Sequence, residues 1–352
     1  MQRIATMDAA AIAAIDVAEA AYDLERSAEA WLPNLLEKGA PLFDRGLGCA
    51  AAIWAGRSPD RQPLMAQVCA GAASPDLSMK LAWAAKDVGP DLQQGSVPRT
   101  SGARISSELE LESSDLLRAF EKRVGCRDVL GVWAMDPGLH GVGIQIPSPQ
   151  FISLSRHARH RWQRLAVHIE AGHRLRRRLG CAGDLGATPV GELPIDGDAL
   201  IDPKSFDITH AERDAQKKDA LEALREAAIR TDHARSKLRR QDADKALDVW
   251  QGLVRGRWSL VDWFDSDGRR FIVVVPNAPG LHDPRGLTER EQQVATLAAR
   301  GDSSKSITYD LAISRQRVSM LLHSAMYKLG VKTQPELVMK MRGFRPPSAD
   351  AA

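Results

Sequence analysis

Four histidines and a glutamate near the middle of the chain are the first residues whose types could do chemistry. His157, His160, His168, Glu170 and His173 lie close together, and imidazole and carboxylate groups are common zinc ligands and general bases. In a metalloprotease helix the two histidines are four residues apart and share one face. His168 and His173 are five residues apart and diverge by about 140° on a regular helix, so the spacing argues against a metal site. A metal-dependent enzyme that uses this helix remains one alternative.

Other reactive patterns are missing from the sequence. The four cysteines, Cys49, Cys69, Cys126 and Cys181, show no C-x-x-C spacing, so we expect buried side chains and no zinc knuckle, redox motif or disulfide scaffold. The phosphate-binding pattern G-x-x-x-x-G-K-[ST] does not occur. We therefore predict no catalytic residue, no metal site, no cofactor and no enzymatic activity. His157 and His160 share a helix face, and among neighbouring arginines we expect them to be solvated.

Basic residues are concentrated near the C-terminal end. The 352 residues carry a formal charge of only +3, but residues 287–342 contain nine Lys or Arg against five Asp or Glu, a net charge of +4. Positive charge in one segment is what contacts with nucleic-acid phosphates require. This segment is therefore the candidate nucleic-acid interface.

Three predicted helices position these charges. Thr288 and Glu291 have the spacing of a capping box, so the first helix begins at Thr288, and Gly301 ends it. The second helix covers residues 304–311. A short turn follows, with Ser314 as the N-cap of the third helix. This arrangement lets one helix be held in place while the next enters a DNA groove.

The third helix has one apolar face and one polar face. Its apolar residues recur at spacings of four, three and four, which predicts a buried face made of Val318, Leu322, Ala325 and Leu329. The opposite face is predicted to read DNA and consists of Gln316, Ser319, Met320, His323 and Tyr327, with Arg315 and Arg317 near the N-terminus of the helix.

Several motifs with fixed spacing run through this segment. They are Leu287-Thr288-x-Arg290-Glu291, Gly301-x-Ser303-x-Lys305-x-Ile307, Leu311-x-Ile313-Ser314, Val318, Lys328-Leu329-Gly330-Val331 and Glu336-Leu337-Val338. With these motifs, residues 287–342 resemble the DNA-binding domain of the LuxR family, also called GerE-type. The resemblance implies an all-α domain of four helices in which the third helix enters the major groove of promoter DNA. It also implies that a fourth helix, at 335–341, mediates homodimerisation on two half-sites.

The resemblance implies roles for individual residues. Base-reading positions map onto Ser319, Met320 and His323, and phosphate-contacting positions map onto Lys305, Arg317 and Lys328. The complete set of predicted DNA-binding residues is Lys305, Arg315, Gln316, Arg317, Ser319, Met320, His323 and Lys328.

The chain departs from the usual LuxR pattern in the third helix. Most relatives carry Thr-Val-Lys, a polar residue and His where this chain has Arg317-Val318-Ser319-Met320-Leu321, and Ala312 replaces the turn glycine. Met320 offers only apolar contact, for example to a thymine methyl group, so the target sequence does not transfer from relatives.

Residues 1–276 show a mixture of predicted helices and hairpins. The hairpins join strands at 47–56 and 64–69, at 128–135 and 141–146, and at 257–264 and 269–275. Helical patterns cover residues 6–38, parts of 75–124, and residues 154–179, 211–238 and 243–254. Antiparallel hairpins with long flanking helices predict an α+β region. Its layout is similar to the GAF and PAS sensor folds, with an unrelated α+β fold as the alternative.

Two features of this region leave alternatives open. The tryptophans on the predicted strands, Trp54, Trp133, Trp258 and Trp263, either line a ligand cavity or belong to the core. Leu221, Leu224, Ala228 and Leu238 lie close to a heptad pattern, which indicates either a dimerisation helix or a plain surface helix.

The predicted organisation has four parts. A sensor or interaction region covers residues 1–276 and includes the helical segment 209–255 and the hairpin 257–275. A linker at 277–286, the helix-turn-helix domain at 287–342 and a flexible tail at 343–352 follow. No apolar run approaches the ~20 residues that span a bilayer, so we expect a cytoplasmic protein without a membrane partner.

These parts together predict a homodimeric transcription regulator. Its N-terminal region would respond to a small-molecule or protein signal and control promoter binding. The alternative is a protein-interaction regulator whose helix-turn-helix no longer binds DNA, which the missing lysine and histidine favour.

Overall fold

The computed structural model describes most of the chain. The described residues are 2–57, 63–71, 76–87, 101–109, 113–135, 140–180, 197–250, 254, 258–265, 267–276, 287, 289–299, 301, 303–311 and 313–343. The chain divides into two compact units, and each unit is built from two separate stretches. Unit 1 comprises Met1–Ile195 and Glu226–Gly252, and unit 2 comprises Asp196–Arg225 and Leu253–Ala352.

Helices make up much of unit 1. Among the described residues up to Gly180 they are α1 (Gln2–Ala21), α2 (Ala28–Lys38), α3 (Ala40–Phe43), α4 (Leu77–Asp87), α5 (Ser113–Val124) and α6 (Arg156–Gly180). Two helices therefore occupy the predicted helical region 6–38, and α6 confirms the long helix predicted at 154–179.

A five-stranded antiparallel sheet forms the centre of unit 1. Its strands are β1 (Cys49–Arg57), β2 (Pro63–Gly71), β3 (Gly102–Ile105), β4 (Asp128–Met135) and β5 (His140–Ser148), in the order β2-β1-β5-β4-β3. The first two predicted hairpins are confirmed as β1–β2 and β4–β5. Residues 58–62 and 136–139, which contain most of the predicted turns, lie outside the described residues.

Helices cover both faces of this sheet. Val132 and Ala134 of β4 and Ile144 of β5 point to one face, where they share the main core with α1, α2 and α6. Ala50 of β1 and Val129 of β4 point to the other face and pack against α4 and α5. Successive strand residues point to opposite faces, so β4 contributes to both cores.

The end of α1 and the middle of α6 approach each other closely. A Cβ atom placed on Gly172 of α6 would lie 2.1 Å from the backbone oxygen of Ala21. Nearby, Trp31 of α2 donates a 3.0 Å hydrogen bond from Nε1 to the carbonyl oxygen of Ala20. The glycine therefore permits a backbone contact that any other residue would prevent.

The helix predicted at 211–238 starts later than expected. Residues Ile208–Ala211 form β7, Arg213–Gln216 form a 3₁₀ turn, and α7 covers Lys218–His233. The prediction is wrong at Ala211, which pairs with Ala199 in a sheet, because such pairing overrides local helix preference. It is also wrong at Arg213–Gln216, where a 3₁₀ turn takes the place of the α-helix. After α7 a π-helical turn (Ala234–Leu238) continues into α8 (Arg239–Gln241).

The near-heptad residues of this segment pack inside the chain. Leu224, Ala228 and Leu238 are buried, and Leu238 belongs to the main core of unit 1. Most of the apolar seam is therefore covered by the protein's own residues, which disfavours a coiled-coil dimer through this helix.

A row of charged side chains joins α6 to α9 (Ala243–Val249). This α6–α9 ladder consists of His157, His160, Arg161 and Arg164 on α6 and Asp244 and Asp248 on α9. His157 Nε2 lies 2.9 Å from Asp244 Oδ2, and His160 Nε2 lies 3.0 Å from Asp248 Oδ1. Arg161 donates to both carboxylate oxygens of Asp244, and Arg164 Nε lies 3.5 Å from Asp248. Both histidines are exposed as expected, but each has an aspartate partner that the sequence analysis missed.

Unit 2 contains a small antiparallel sheet of four strands. They are β6 (Ala199–Ile201), β7 (Ile208–Ala211), β8 (Trp258–Phe264) and β9 (Arg270–Pro276), in the order β7-β6-β9-β8. The third predicted hairpin is confirmed as β8–β9. Buried Asp198 accepts a 2.8 Å hydrogen bond from Nε1 of Trp258 and pairs with Arg213, so these polar groups fix the start of β6 to β8.

Two of the four strand tryptophans are buried. Trp133 and Trp258 are less than a tenth exposed, whereas Trp54 and Trp263 are half-buried. The ring centroids of Trp54 and Trp133 lie 6.3 Å apart on one face of the sheet in unit 1. The core interpretation therefore holds for Trp133 and Trp258.

The C-terminal part of unit 2 is helical. Its helices are α10 (Glu289–Ala299), α11 (Ser304–Leu311), α12 (Arg315–Leu329) and α13 (Gln334–Gly343). Residues 277–286 and 344–352, which contain the predicted linker and most of the predicted tail, lie outside the described residues. Among the described residues, none of the helices combines the length and the apolar character that a membrane span requires.

Candidate nucleic-acid interface

Helices α10 to α13 surround a small apolar core of their own. Val294 and Ala298 of α10, Ile307 of α11 and Leu337 of α13 are almost fully buried, and they share one core with α12. Each of these helices buries one apolar stripe. The core therefore holds α12 by one side and leaves its other side exposed.

The third helix of this group begins and ends with specific caps. The hydroxyl of Ser314 accepts a 3.2 Å hydrogen bond from the backbone N–H of Arg317, which confirms Ser314 as the N-cap of α12. Gly330 follows the last turn with a φ of 68°, a left-handed conformation that favours glycine. The helix boundaries are thus determined by local sequence.

The buried face of α12 differs from the prediction at one position. Val318, Ala325 and Leu329 are buried as expected, but the fourth buried residue is Leu321, which is 9% exposed. Leu322 is only partly buried beside the same core. Both residues fit a helical spacing from Val318, and the direction from which α10 and α11 approach decides between them.

The predicted DNA-reading residues lie on the solvent side of α12. Those that the structure exposes are Arg315, Gln316, Arg317, Ser319, Met320, His323 and Lys328. Met320 is 55% exposed and Tyr327 is 83% exposed. At about 100° per residue, Gln316, Ser319, Met320 and His323 lie within about a third of the helix circumference, and Arg315 and Arg317 flank them on either side.

One predicted phosphate contact lies on the neighbouring helix. Lys305 is the second residue of α11 and is exposed. Thr308 of the same helix donates from its hydroxyl to the backbone oxygen of Ser304 at 2.7 Å. Lys305 and the arginines at the start of α12 therefore supply positive charge on two consecutive helices.

Lys328 differs from the other predicted phosphate contacts because a carboxylate already binds it. Its Nζ donates a 2.7 Å hydrogen bond to Oε2 of Glu291, and the hydroxyl of Ser324 donates to Oε1 of the same residue at 2.6 Å. Glu291 is only 5% exposed. The sequence predicted a capping box between Glu291 and Thr288, which lies outside the described residues, and gave no sign of the two partners of Glu291 on α12.

A capping box begins the fourth helix, and sequence analysis missed it. Glu336 Oε2 accepts hydrogen bonds from the backbone N–H groups of Lys332 and Thr333, and the hydroxyl of Thr333 accepts from the N–H of Glu336. The hydrogen bonds to its carboxylate hold the pKa of Glu336 below its ordinary value. The signal was present, since Thr333 and Glu336 have the S/T-x-x-E spacing.

The histidine-rich helix shows no comparable site. Burial, and then the nearby charge of Arg164, lower the pKa of His168 to about 4, so this side chain is neutral near pH 7. The hydroxyl of Tyr22 lies 3.2 Å from its Nδ1. Glu170 is also buried and lies 3.5 Å from Arg174. Within the described ranges, no three His, Cys, Asp or Glu side chains form a metal-binding group.

Three of the four cysteines belong to the described part of the chain. Cys49 and Cys126 are buried, as predicted, and Cys69 is half-buried. Burial raises the pKa of Cys49 to about 12 and that of Cys126 to about 11. These thiols therefore remain protonated near neutral pH.

Comparison with known families identifies the C-terminal segment. Residues 285–341 match the GerE family, described as bacterial regulatory proteins of the luxR family. These residues form a LuxR-type helix-turn-helix domain, which supports a role in DNA-binding transcription regulation. The match covers a minority of the chain. No curated protein matches the chain.

Proposed function

We propose that this chain is a LuxR-like transcription regulator that binds promoter DNA through α12. The exposed face of this helix carries the proposal. It presents Arg315, Arg317 and His323 to solvent within a domain that matches a family of DNA-binding regulators. Arginine and polar side chains on an exposed helix suit both phosphate contact and base readout in a major groove.

Individual residues receive the following roles. Ser319, Met320 and His323 face the base edges, where Met320 supplies an apolar contact. Arg317 and Lys305 bind phosphates on either side, and Arg315 and Gln316 lie where the helix N-terminus enters the groove. Two copies bind two half-sites through contacts between their α13 helices.

The N-terminal region serves as the sensing or dimerisation part in this proposal. Its antiparallel β1–β2 and β4–β5 hairpins, covered by helices on both faces, support the resemblance to GAF-like sensors. The proposed division keeps the sensor region at 1–276, the linker at 277–286, the DNA-binding domain at 287–342 and the tail at 343–352. A small molecule or a protein is the proposed signal.

Selection of DNA sequences by the full-length protein tests the proposal. We expect enrichment of a motif with two half-sites, and we expect the double variant Arg317→Ala with His323→Ala to lose it. Arg127→Ala is the matched control, because it removes one exposed arginine from unit 1. A folded protein that enriches no motif, or a double variant that behaves like the control, would overturn the proposed function.

A protein-docking role for α12 is the second candidate. It is favoured by the exposure of Met320 and Tyr327, because apolar and aromatic side chains are common at protein interfaces. DNA affinity that falls steeply with salt would exclude this candidate, since such a slope reports phosphate contacts. DNA affinity too weak to measure at low salt would favour it.

A further inference from the structure

We propose that the hydroxyl of Tyr327 contacts a DNA phosphate and that Lys328 is a positioning residue that does not touch DNA. The inference rests on the proposed DNA-binding function and changes the assignment of two neighbouring residues within it. The different surroundings of these two side chains carry the inference.

Lys328 is held at the interface between α10 and α12. Its ammonium donates to Glu291, whose carboxylate is almost fully buried and also accepts from Ser324. Moving Lys328 to a phosphate would break its ion pair with a carboxylate that is only 5% exposed, which is unfavourable. Lys328 therefore stays with Glu291 and fixes the position of α12 relative to α10.

Tyr327 is more exposed than Lys328, whose side chain is 37% exposed. Tyr327 is 83% exposed, and its hydroxyl has no hydrogen-bond partner among the residues that the structure describes. It follows His323 by four residues and Met320 by seven, so these three side chains share one side of the helix. The phenol group extends from the face that is proposed to meet DNA.

The length of the helix places Tyr327 near the edge of the groove. Seven residues of α-helix advance about 10.5 Å, and the major groove is about 12 Å wide. With Met320 over the base edges, Tyr327 therefore reaches the flanking phosphates. Tyrosine hydroxyls are common donors to phosphate. A neutral donor adds affinity without neutralising a phosphate, so it leaves the salt dependence unchanged.

The test measures binding of the full-length protein to its selected DNA site over a range of salt concentrations. We expect Tyr327→Phe to weaken binding about three- to tenfold at every salt concentration. The slope of log affinity against log salt concentration should stay unchanged. We expect Lys328→Met to leave the slope unchanged, as does the control Lys332→Met, which removes one exposed lysine next to α13. Arg317→Ala is the reference for a phosphate contact and lowers the slope by about one.

The positioning role of Lys328 has its own readout. We expect Lys328→Met to speed hydrogen exchange of the α12 amides and Lys328→Arg, which keeps the ion pair, to restore wild-type protection. Wild-type affinity in Tyr327→Phe, or a slope lowered by about one in Lys328→Met, would overturn the inference. Failure of the unmodified protein to bind any DNA would instead overturn the proposed function, and no variant is needed to recognise that outcome.

Discussion

The Nζ atom of Lys328 lies 2.7 Å from Oε2 of Glu291, and this contact joins the third helix of the DNA-binding domain to its first. Thirty-seven residues separate the two partners in the sequence. A lysine that the family resemblance assigns to phosphate binding thus satisfies a buried carboxylate in this chain. The ion pair therefore links α10 to α12, whose exposed face we propose to read DNA.

Removing the charge of Glu291 should loosen α12. We expect Glu291→Gln and Lys328→Met each to lower the opening free energy of the α12 amides by about 1–3 kcal/mol. The double variant should lose less opening free energy than the two single variants added together. Either single change already breaks the ion pair, so the second change cannot break it again. Hydrogen exchange with mass spectrometry measures these losses, and additive effects would contradict the coupling.

Asp244 should make the α6–α9 ladder sensitive to acid. Partial burial raises the pKa of Asp244, but hydrogen bonds from Arg161 and His157 outweigh this effect and hold it below its ordinary value. A lowered pKa in the folded state gives stability that is present above the unfolded pKa of about 3.9 and is lost as pH falls further. Asp244→Asn should therefore lower stability at pH 7 and reduce its decline below pH 4. Denaturant unfolding at pH 7 and pH 3 measures both effects, with Asp267→Asn, an exposed site in unit 2, as the control.

His168 should impose a second pH dependence at higher pH. Its pKa is about 4 in the folded protein and about 6.5 in the unfolded chain. As pH falls, His168 takes up a proton in the unfolded chain before it does so in the folded protein. The free energy of unfolding should therefore decrease by about 3 kcal/mol between pH 6.5 and pH 4. We expect His168→Phe to be less stable at pH 7 and less dependent on pH within this window. Equal pH dependence of the two proteins in tryptophan-monitored unfolding would count against this assignment.

Gly172 should tolerate no side chain. An added Cβ would lie 2.1 Å from the backbone oxygen of Ala21, so Gly172→Ala must displace α1 from α6 and should cost about 2–3 kcal/mol. Gly125→Ala is the comparison, because a Cβ there meets nothing within 4 Å, although its φ of +77° is unfavourable for alanine. It should cost about 1 kcal/mol. Denaturant titration compares the variants, and equal losses would contradict the close-approach argument.

Local patterns were sufficient to predict much of the fold. Alternating apolar residues bounded by turn residues predicted the hairpins that contain Trp54, Trp133 and Trp263. The predicted N-cap, Ser314, marked the start of α12. These features depend on residues within a few positions of one another, so the sequence contains the necessary information.

The features that were missed depend on contacts between distant segments. Strands β6 and β7 have three and four residues, too short for a clear pattern, and they exist because neighbouring strands pair with them. The choice of Leu321 over Leu322 for the core follows from how α10 and α11 pack. The Glu291–Lys328 pair, which changes the candidate site most, requires knowing that α10 and α12 are neighbours.

The division of the chain into interleaved stretches has a consequence for its synthesis. Ala234, Leu238, Leu247 and Trp250 complete the main core of unit 1, yet residues 196–225 of unit 2 precede them. Part of unit 2 is therefore synthesised before the last residues of the unit 1 core are available for packing. Any nascent or proteolysed chain that stops before residue 250 therefore leaves the core around Ile15 and Leu165 incomplete.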